Sequence, residues 1–203
     1  MLLLALALGC SPTPTPQRSP GGADVRSAPA GGSRALDDRL RDDLADDDAF
    51  PWSAARPLTW SDFQGTPPAE GSEGAMTSYG LYSAWKCRGQ AFRFQVIVGF
   101  RPRQSWVKAV VLNDSVQRLA VLGHEQTHFD IGEVHARRMR QVFGNLASPC
   151  RKTEAALAAL VQRLGKDEEA EQGRYDDETN HGLLGAQQAA WSLQTSQRLA
   201  SSQ

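Results

Sequence analysis

Apolar and polar residues alternate along two neighbouring segments of the chain between residues 77 and 100. On one side of the first segment, the alternating positions are Tyr79, Leu81, Trp85 and Cys87. On one side of the second, they are Phe92, Phe94, Val96, Val98 and Phe100. A period of two is typical of half-buried strands, and the intervening RGQ is a short turn, so we predict a β-hairpin. The apolar run SWVKAVVLN that follows predicts another strand, or a strand end that continues into a helix.

Helical patterns dominate the second half of the chain. Asn113 and Asp114 are residue types that cap helix N-termini, and neither proline nor a strand pattern interrupts the chain from there to about Phe143. We therefore predict one long helix, followed by two shorter helices at residues 154–165 and 183–200 with a polar loop between them. Strands that precede helices in this way predict an α+β fold with a small antiparallel sheet.

The segment MLLLALALGC, residues 1–10, is a short apolar run that ends in Gly9 and Cys10. It is too short to span a bilayer but is typical of the core of an export signal, so we expect a periplasmic or cell-surface protein. A cysteine at this place predicts lipid attachment at Cys10, which would be the only membrane contact. An ordinary signal peptide and a misassigned start codon are the alternatives.

Residues 11–50 are rich in Pro, Gly, Ser and Asp and predict a flexible tether. Towards its end, Leu36, Leu40 and Leu44 are spaced four residues apart, as on one side of a helix. This part is therefore either a short helix docked on the folded domain or a solvated acidic linker. The domain itself is predicted to occupy residues 51–203.

Composition narrows the classes of function. The chain has 203 residues, of which 40% are hydrophobic, and its formal net charge is -1. This length suits one globular domain, and so small a net charge provides no field that would attract nucleic acid. If Cys10 carries a lipid, Cys87 and Cys150 remain as a pair. That pair predicts a disulfide in an oxidising compartment, with two buried thiols as the alternative.

The predicted long helix contains the segment LGHEQTHFDIGEVHARR. His124 and His128 are one helical turn apart, so both imidazoles can point at one metal ion, and the HExxH spacing is typical of zinc sites. Zinc would lower the pKa of a bound water, Glu125 would take its proton as general base, and the hydroxide would attack a peptide or related amide bond. This predicts a zinc metallopeptidase. A zinc-binding envelope lipoprotein that acts as an interaction module without catalysis is the alternative.

A third zinc ligand must come from elsewhere in the chain. On a helix that does not break at Gly132, His135 lies about 10 Å further along the axis than His128 and cannot reach the metal, and the acidic residues near it point away from the metal-facing side. The segment YDDETNHG offers His181 as the first choice and Asp176 as the second. In the alternative interpretation, its acidic residues only cap the last helix. Tyr175 of the same segment is either a hydrogen-bond donor to the oxyanion of the reaction or a structural residue.

Several blocks of the sequence carry a family resemblance. They are RPLTWSDFQG at 56–65, SWVK at 105–108, HEQTHFDI at 124–131, AR at 136–137, YDDETNHG at 175–182, and Gln187 with Trp191. In this order they resemble the bacterial domain-of-unknown-function family 922, which is described as predicted secreted zinc-dependent proteases. The resemblance spans about residues 56–195. It implies a zincin-like domain with Zn²⁺ as cofactor and a peptide or protein as substrate, and it marks YDDETNHG as a partner of the HExxH helix.

Overall fold

The structure, a computed structural model, describes residues 24–29 and 36–201. The predicted export segment with Cys10 lies outside these residues, as do residues 11–23 and 30–35 of the predicted tether. The described elements form an α+β arrangement, as predicted. In chain order they are β1 (Asp24–Pro29), α1 (Leu36–Asp46), β2 (Phe50–Pro51), β3 (Ala75–Met76), β4 (Tyr79–Arg88), β5 (Ala91–Phe100), β6 (Trp106–Val107), α2 (Ala109–Asn113), α3 (Ser115–Gly144), α4 (Glu154–Thr179) and α5 (Gly185–Ser201).

The predicted hairpin forms the centre of the main sheet. Strands β4 and β5 pair antiparallel over their whole length, from Tyr79 opposite Phe100 to Arg88 opposite Ala91. Strand β2 adds to β5 antiparallel, whereas β1 runs parallel to β4, which gives the order β1-β4-β5-β2. The prediction of a purely antiparallel sheet is therefore wrong, because the long connection after β1 allows this strand to join in the parallel sense. Strands β3 and β6 form a separate two-stranded sheet.

Helices cover both faces of β4. On one face, β4 and β5 pack against α3 and α4 in the main core, whose members include Tyr79, Leu81, Trp85, Val98, Phe100, Phe129, Met139, Phe143 and Val161. On the other face, Tyr82 and Ala84 are covered by Leu36, Leu40 and Leu44 of α1. Successive side chains of β4 therefore point alternately into two apolar layers, one on each face of the strand. Neither face of β4 is left to solvent by this arrangement.

The segment predicted as a tether contributes a strand and a helix to the described fold. Helix α1 is the docked helix of the two alternatives. Asp47, directly after it, accepts a hydrogen bond from the Tyr82 hydroxyl at 2.6 Å and pairs with the buried Arg101 at 2.8 Å. Composition indicated a tether because residues 11–34 are rich in Pro, Gly and Ser and residues 35–50 are strongly acidic. Composition alone does not reveal that β4 leaves an apolar face for the three leucines of α1 to cover.

The predicted long helix is α3. Its first turn is capped by Asp114, whose side chain accepts hydrogen bonds from the backbone N–H groups of Val116 and Gln117. The helix runs without a break past Gly132, where it approaches β4 closely. A Cβ at this position would lie 2.7 Å from Cε2 of Tyr79, so only glycine permits this packing distance.

Helix α4 is longer than predicted. It continues to Thr179, so the polar stretch that was expected to be a loop is helical and ends at the left-handed residue Asn180. Its buried side carries polar residues at helical spacing: Glu168, Gln172, Tyr175, Asp176 and Thr179. The prediction failed here because a helix whose buried side is polar shows no hydrophobic period.

Cys87, in the last part of β4, and Cys150 form the predicted disulfide, with their Cα atoms 5.7 Å apart. This bridge ties the hairpin to the segment that connects α3 and α4. Among the described residues, none of the helices combines the length and the apolar character that crossing a bilayer requires.

Candidate metal centre

Two imidazoles from α3 meet at one point in the interior. His124 and His128 lie one turn apart and are 5% and 4% exposed. Their Nε2 atoms are 3.0 Å apart, and the rings meet edge to face with centroids 4.6 Å apart. The helical spacing of the HExxH segment thus gives the convergence that was predicted from it.

Asp176 of α4 completes a triangle with these two nitrogens. Its Oδ1 atom lies 3.2 Å from Nε2 of His124 and 3.0 Å from Nε2 of His128. The carboxylate is buried, and within the described part of the chain no residue completes a hydrogen bond to Oδ1. A buried acceptor atom of this kind is normally satisfied by a hydrogen-bond donor or by a bound cation.

Two glutamines determine which nitrogen of each ring carries the proton. Nδ1 of His128 lies 2.6 Å from Oε1 of Gln172, and Nδ1 of His124 lies 3.0 Å from Oε1 of Gln188. The amide nitrogen of Gln172 donates to the backbone carbonyl of His128, so its oxygen must face the ring. Because an amide oxygen only accepts, each Nδ1 donates, and both Nε2 atoms present lone pairs to Asp176.

These three atoms fit a zinc ion. Tetrahedral zinc with bonds of about 2.0–2.1 Å holds neighbouring ligand atoms about 3.3 Å apart, and the separations here are 3.0 Å, 3.0 Å and 3.2 Å. Two imidazoles and one carboxylate are also a ligand set of catalytic zinc sites, which keep a fourth position open. The buried cluster of His124, His128 and Asp176 could therefore bind a metal ion.

The electrostatics of the cluster favour a cation. Burial opposes ionisation of Asp176, but the hydrogen bonds that the Nε2 atoms of His124 and His128 donate to it when these rings are protonated hold the pKa of the carboxyl well below its usual range. Burial likewise opposes protonation of His128, but Asp176 and the charge of Glu125 raise its pKa above the ordinary histidine value. The three ligand atoms thus attract a positive charge. A proton and a metal ion would compete for this site.

A cleft of about 550 Å³ leads to the cluster, and Glu125 lines it together with the three candidate ligands. Glu125 precedes the metal-facing histidine His128 by three residues, and its side chain is 4% exposed. Other parts of the wall come from the segment before β4, from α2 and from the turn after α4. Glu125 therefore shares a solvent-connected space with the cluster.

Tyr175 supports the cluster from behind. Its ring stacks on that of His124 with centroids 4.7 Å apart, and its hydroxyl donates to Oε1 of Gln188 at 2.7 Å. The residue is fully buried, and burial raises the pKa of its hydroxyl. Of the two predicted roles, the geometry therefore matches the structural one, because the hydroxyl is engaged in the interior and not in the cleft.

His181 lies beside the cluster and not in it. Its Nδ1 atom is 3.6 Å from Oδ1 of Asp176, and its side chain is 53% exposed at the wall of the cleft. The expected order of preference for the third ligand, His181 before Asp176, is therefore reversed by the geometry. The reason is the unpredicted length of α4, which directs Asp176 inward and leaves His181 in the turn that follows.

The other polar residues of α3 have partners away from the cluster. Nε2 of His135 lies 2.7 Å from Glu171 of α4, and Glu133 pairs with arginines of its own helix. Asp130 accepts a hydrogen bond from the indole of Trp52 at 2.8 Å. Their exclusion as ligands, which the helical spacing predicted, agrees with these contacts.

Gln172 and Gln188 were not predicted from the sequence. Gln172 precedes Asp176 by four residues, so it would have been placed on the same side of a helix if α4 had been extended through this stretch. Gln188 is adjacent to Gln187, which carried part of the family resemblance, but Gln187 is exposed. A single sequence offers no signal that shows which of the neighbours Gln187 and Gln188 contacts His124.

The family model described as "Bacterial protein of unknown function (DUF922)" matches residues 71–182, more than half of the chain. The matched region includes His124, His128 and Asp176, together with the turn that carries His181. No curated protein and no solved structure matches the chain. The description of the family states no activity. The resemblance inferred from the sequence blocks is nevertheless confirmed at the level of the family, and the chain belongs to the bacterial family of unknown function DUF922.

Proposed function

We propose that this protein is an exported zinc metallopeptidase that hydrolyses a peptide or a related amide bond. The observation that carries the proposal is the convergence of three ligand atoms, from His124, His128 and Asp176, in a cleft that Glu125 also lines. A structural zinc site is closed by four protein ligands, whereas a set of three in an open cleft leaves room for a water and a substrate.

A zinc ion held by the three ligands would polarise the amide carbonyl and lower the pKa of a nearby water. Glu125 accepts a proton from the attacking water at its carboxylate and delivers it to the amide nitrogen. The water oxygen bonds to the carbonyl carbon and the C–N bond breaks, so the products are one carboxylic acid and one amine. Gln172 and Gln188 hold both imidazoles in one orientation throughout.

The arrangement of elements supports a zincin-like assignment. The HExxH helix α3 packs against the main sheet, and the short strand β3 lies along the cleft, where Ala75 and Met76 line its wall. A strand beside a catalytic cleft offers an extended peptide a backbone to pair with. This placement favours a polypeptide substrate over a compact small molecule.

Apolar side chains at the cleft support the same class of substrate. Val110 of α2 and Leu183 after α4 both line the cleft, yet they are 64% and 78% exposed. Exposed apolar side chains at the wall of a binding site favour ligands that bury them. We propose that the substrate carries a bulky apolar side chain near the hydrolysed bond.

The disulfide supports the proposed location. Cys87 and Cys150 are bridged, and such bridges persist in oxidising compartments such as the bacterial periplasm. We therefore retain export, with lipid attachment at Cys10, as part of the proposal. Mass spectrometry of Cys10 in protein from the native membrane fraction tests this part separately.

Metal content of the purified full chain tests the ligand set. We expect wild type to retain about one zinc after dialysis, and Asp176→Ala and His128→Ala to lose it, with their circular dichroism unchanged. Asp177→Ala is the matched control, because Asp177 is the exposed neighbour of Asp176. Zinc retained by Asp176→Ala, or absent from wild type, would contradict the site.

Glu125→Gln tests catalysis. Because Glu125 is placed as the base and not as a ligand, this variant should keep its zinc and lose about 10²–10⁴-fold in kcat on an unfolded protein substrate. Hydrolysis at an unchanged rate would show that the base is wrong. Zinc binding by wild type without hydrolysis of any peptide in a diverse library would favour the non-catalytic interaction module.

A further inference from the structure

The turn after α4 holds three consecutive residues in the left-handed region. The φ angles are 48° at Asn180, 53° at His181 and 81° at Gly182. Only glycine adopts this region without cost, and strained non-glycine residues cluster at functional sites. The turn is held by hydrogen bonds from the backbone N–H of His181 to the Asp176 carbonyl at 2.8 Å and from that of Gly182 to the Thr179 hydroxyl at 3.2 Å.

The same turn packs against the candidate metal centre. A Cβ at Gly182 would lie 3.1 Å from the Cβ, Cγ and Nδ1 atoms of His124, so the backbone there is in close contact with a ligand ring. This contact sets the position of the preceding residue, His181, whose Nδ1 lies 3.6 Å from Oδ1 of Asp176. The imidazole of His181 therefore lies next to the ligand cluster but on its solvent side.

His181 differs from the two ligand histidines in its surroundings. They are 5% and 4% exposed, whereas the His181 side chain is 53% exposed and lines the cleft. In a bound substrate, the atom nearest to the metal would be the carbonyl oxygen under attack. A ring N–H at the wall of the cleft beside the cluster is suitably placed to reach that oxygen.

We propose that His181 is a catalytic residue that donates a hydrogen bond to the substrate carbonyl oxygen as this oxygen becomes negatively charged. The inference rests on the proposed hydrolysis and adds the group that stabilises its charge. When the water oxygen bonds to the carbonyl carbon, the electron pair of the C=O double bond moves onto oxygen, and the His181 N–H donates to it. When the C–N bond breaks, the double bond re-forms and the hydrogen bond weakens. His181 transfers no proton, because Glu125 carries the proton from water to nitrogen.

Tyr175, behind the cluster, and Lys108, at the cleft, are less suited to this role. The Tyr175 hydroxyl is buried and donates to Gln188. The Lys108 ammonium is engaged as a donor to the backbone carbonyl of Gly71 at 2.7 Å. His181 is exposed to the cleft, its Nδ1 lies 3.6 Å from Oδ1 of Asp176, and it is held there by a turn with left-handed backbone angles.

The test uses His181→Gly and His181→Asn in the full zinc-loaded chain. Glycine removes the imidazole and adopts positive φ freely, so the turn is preserved, and asparagine tolerates the same backbone while restoring an N–H donor. The matched control is Ser148→Gly, at another left-handed position (φ 49°) in the connection between α3 and α4. We expect all three variants to keep one zinc. His181→Gly should lose about 10²–10³-fold in kcat with KM within about threefold, and His181→Asn should recover part of the loss.

A second measurement does not depend on turnover. Inorganic phosphate, a tetrahedral oxyanion, is titrated into the cobalt-substituted protein, and its Kd is followed through the cobalt absorption spectrum. We expect His181→Gly to raise this Kd about tenfold and Ser148→Gly to leave it unchanged.

The outcomes separate the alternatives. Loss of the metal from His181→Gly overturns the proposal in favour of a ligand role. Retention of metal with unchanged kcat and Kd also overturns it. A His181-dependent Kd in a wild-type protein that hydrolyses nothing supports the donor and overturns the proposed function alone.

Discussion

Nδ1 of His128 donates to Oε1 of Gln172 across 2.6 Å, and this contact links the HExxH helix to α4 at the level of the candidate metal centre. A neutral amide, and not a carboxylate, thus orients the imidazole. Gln172 is itself held by Glu168 of its own helix at 2.8 Å. The orientation of this candidate ligand therefore depends on the packing of two helices and not on α3 alone.

Replacement of the second glutamine tests whether these contacts tune the metal site. Gln188→Ala removes the acceptor for Nδ1 of His124, so we expect the zinc affinity to fall about 10–100-fold in a chelator competition assay. Gln187→Ala is the matched control, because this neighbour is exposed. Equal zinc affinities of the two variants would contradict a positioning role for Gln188.

The close approach of α3 to the sheet predicts a stability difference between two glycines. Gly132→Ala would place a Cβ 2.7 Å from the Tyr79 ring, so we expect a loss of about 1–3 kcal/mol in the free energy of unfolding. Gly173→Ala, in α4, meets nothing within 4 Å, so it should be neutral or stabilise by up to about 1 kcal/mol. Urea unfolding followed by circular dichroism measures both, and a stable Gly132→Ala variant would show that the helix can shift.

Acid should weaken the contact between α3, α4 and α5. Burial opposes ionisation of Glu171, but hydrogen bonds from His135 and Arg198 lower its pKa to about 2 from 4.5. Because the folded-state pKa is depressed, the stabilisation is complete above the unfolded-state value and is lost as the pH falls from about 4.5 towards 2.

Glu171→Gln isolates this effect. At neutral pH the variant should be about 1–3 kcal/mol less stable than wild type, because it weakens the contacts with two charged partners. The difference should shrink between pH 4.5 and 2, as wild type loses the same carboxylate. Unfolding curves of both proteins across this range provide the test, and a difference that does not change with pH would show that the charge of Glu171 contributes no stability.

The apolar wall of the cleft predicts a selective loss of activity. If the proposed hydrolysis holds, Leu183→Ser should lower kcat/KM about tenfold for peptides with a leucine or phenylalanine near the hydrolysed bond. Peptides with alanine there should be affected much less. Leu193→Ser is the control, since Leu193 is 59% exposed on α5 and does not line the cleft. A uniform loss for all peptides would indicate a damaged turn and not a lost binding surface.

Local sequence was sufficient to predict much of this protein. The period-two pattern predicted the hairpin, the uninterrupted segment after Asp114 predicted α3, and the pair of cysteines predicted the disulfide. The spacing of His124 and His128 predicted their convergence, because residues four apart on a helix lie on one side wherever the helix is placed. These features depend on short-range geometry, which a single sequence contains.

Only the tertiary structure decided which residue joins the two histidines. The sequence favoured His181, but α4 continues through the polar stretch and directs Asp176 inward, with Gln172 one turn earlier. That stretch gave no helical signal because its buried side faces other polar groups and not an apolar core. The packing partner of α1 could not be predicted for a similar reason, since the face of β4 that α1 covers is distant in the chain. Contacts between distant segments depend on complementary surfaces, and the local pattern of one segment does not contain the surface of the other.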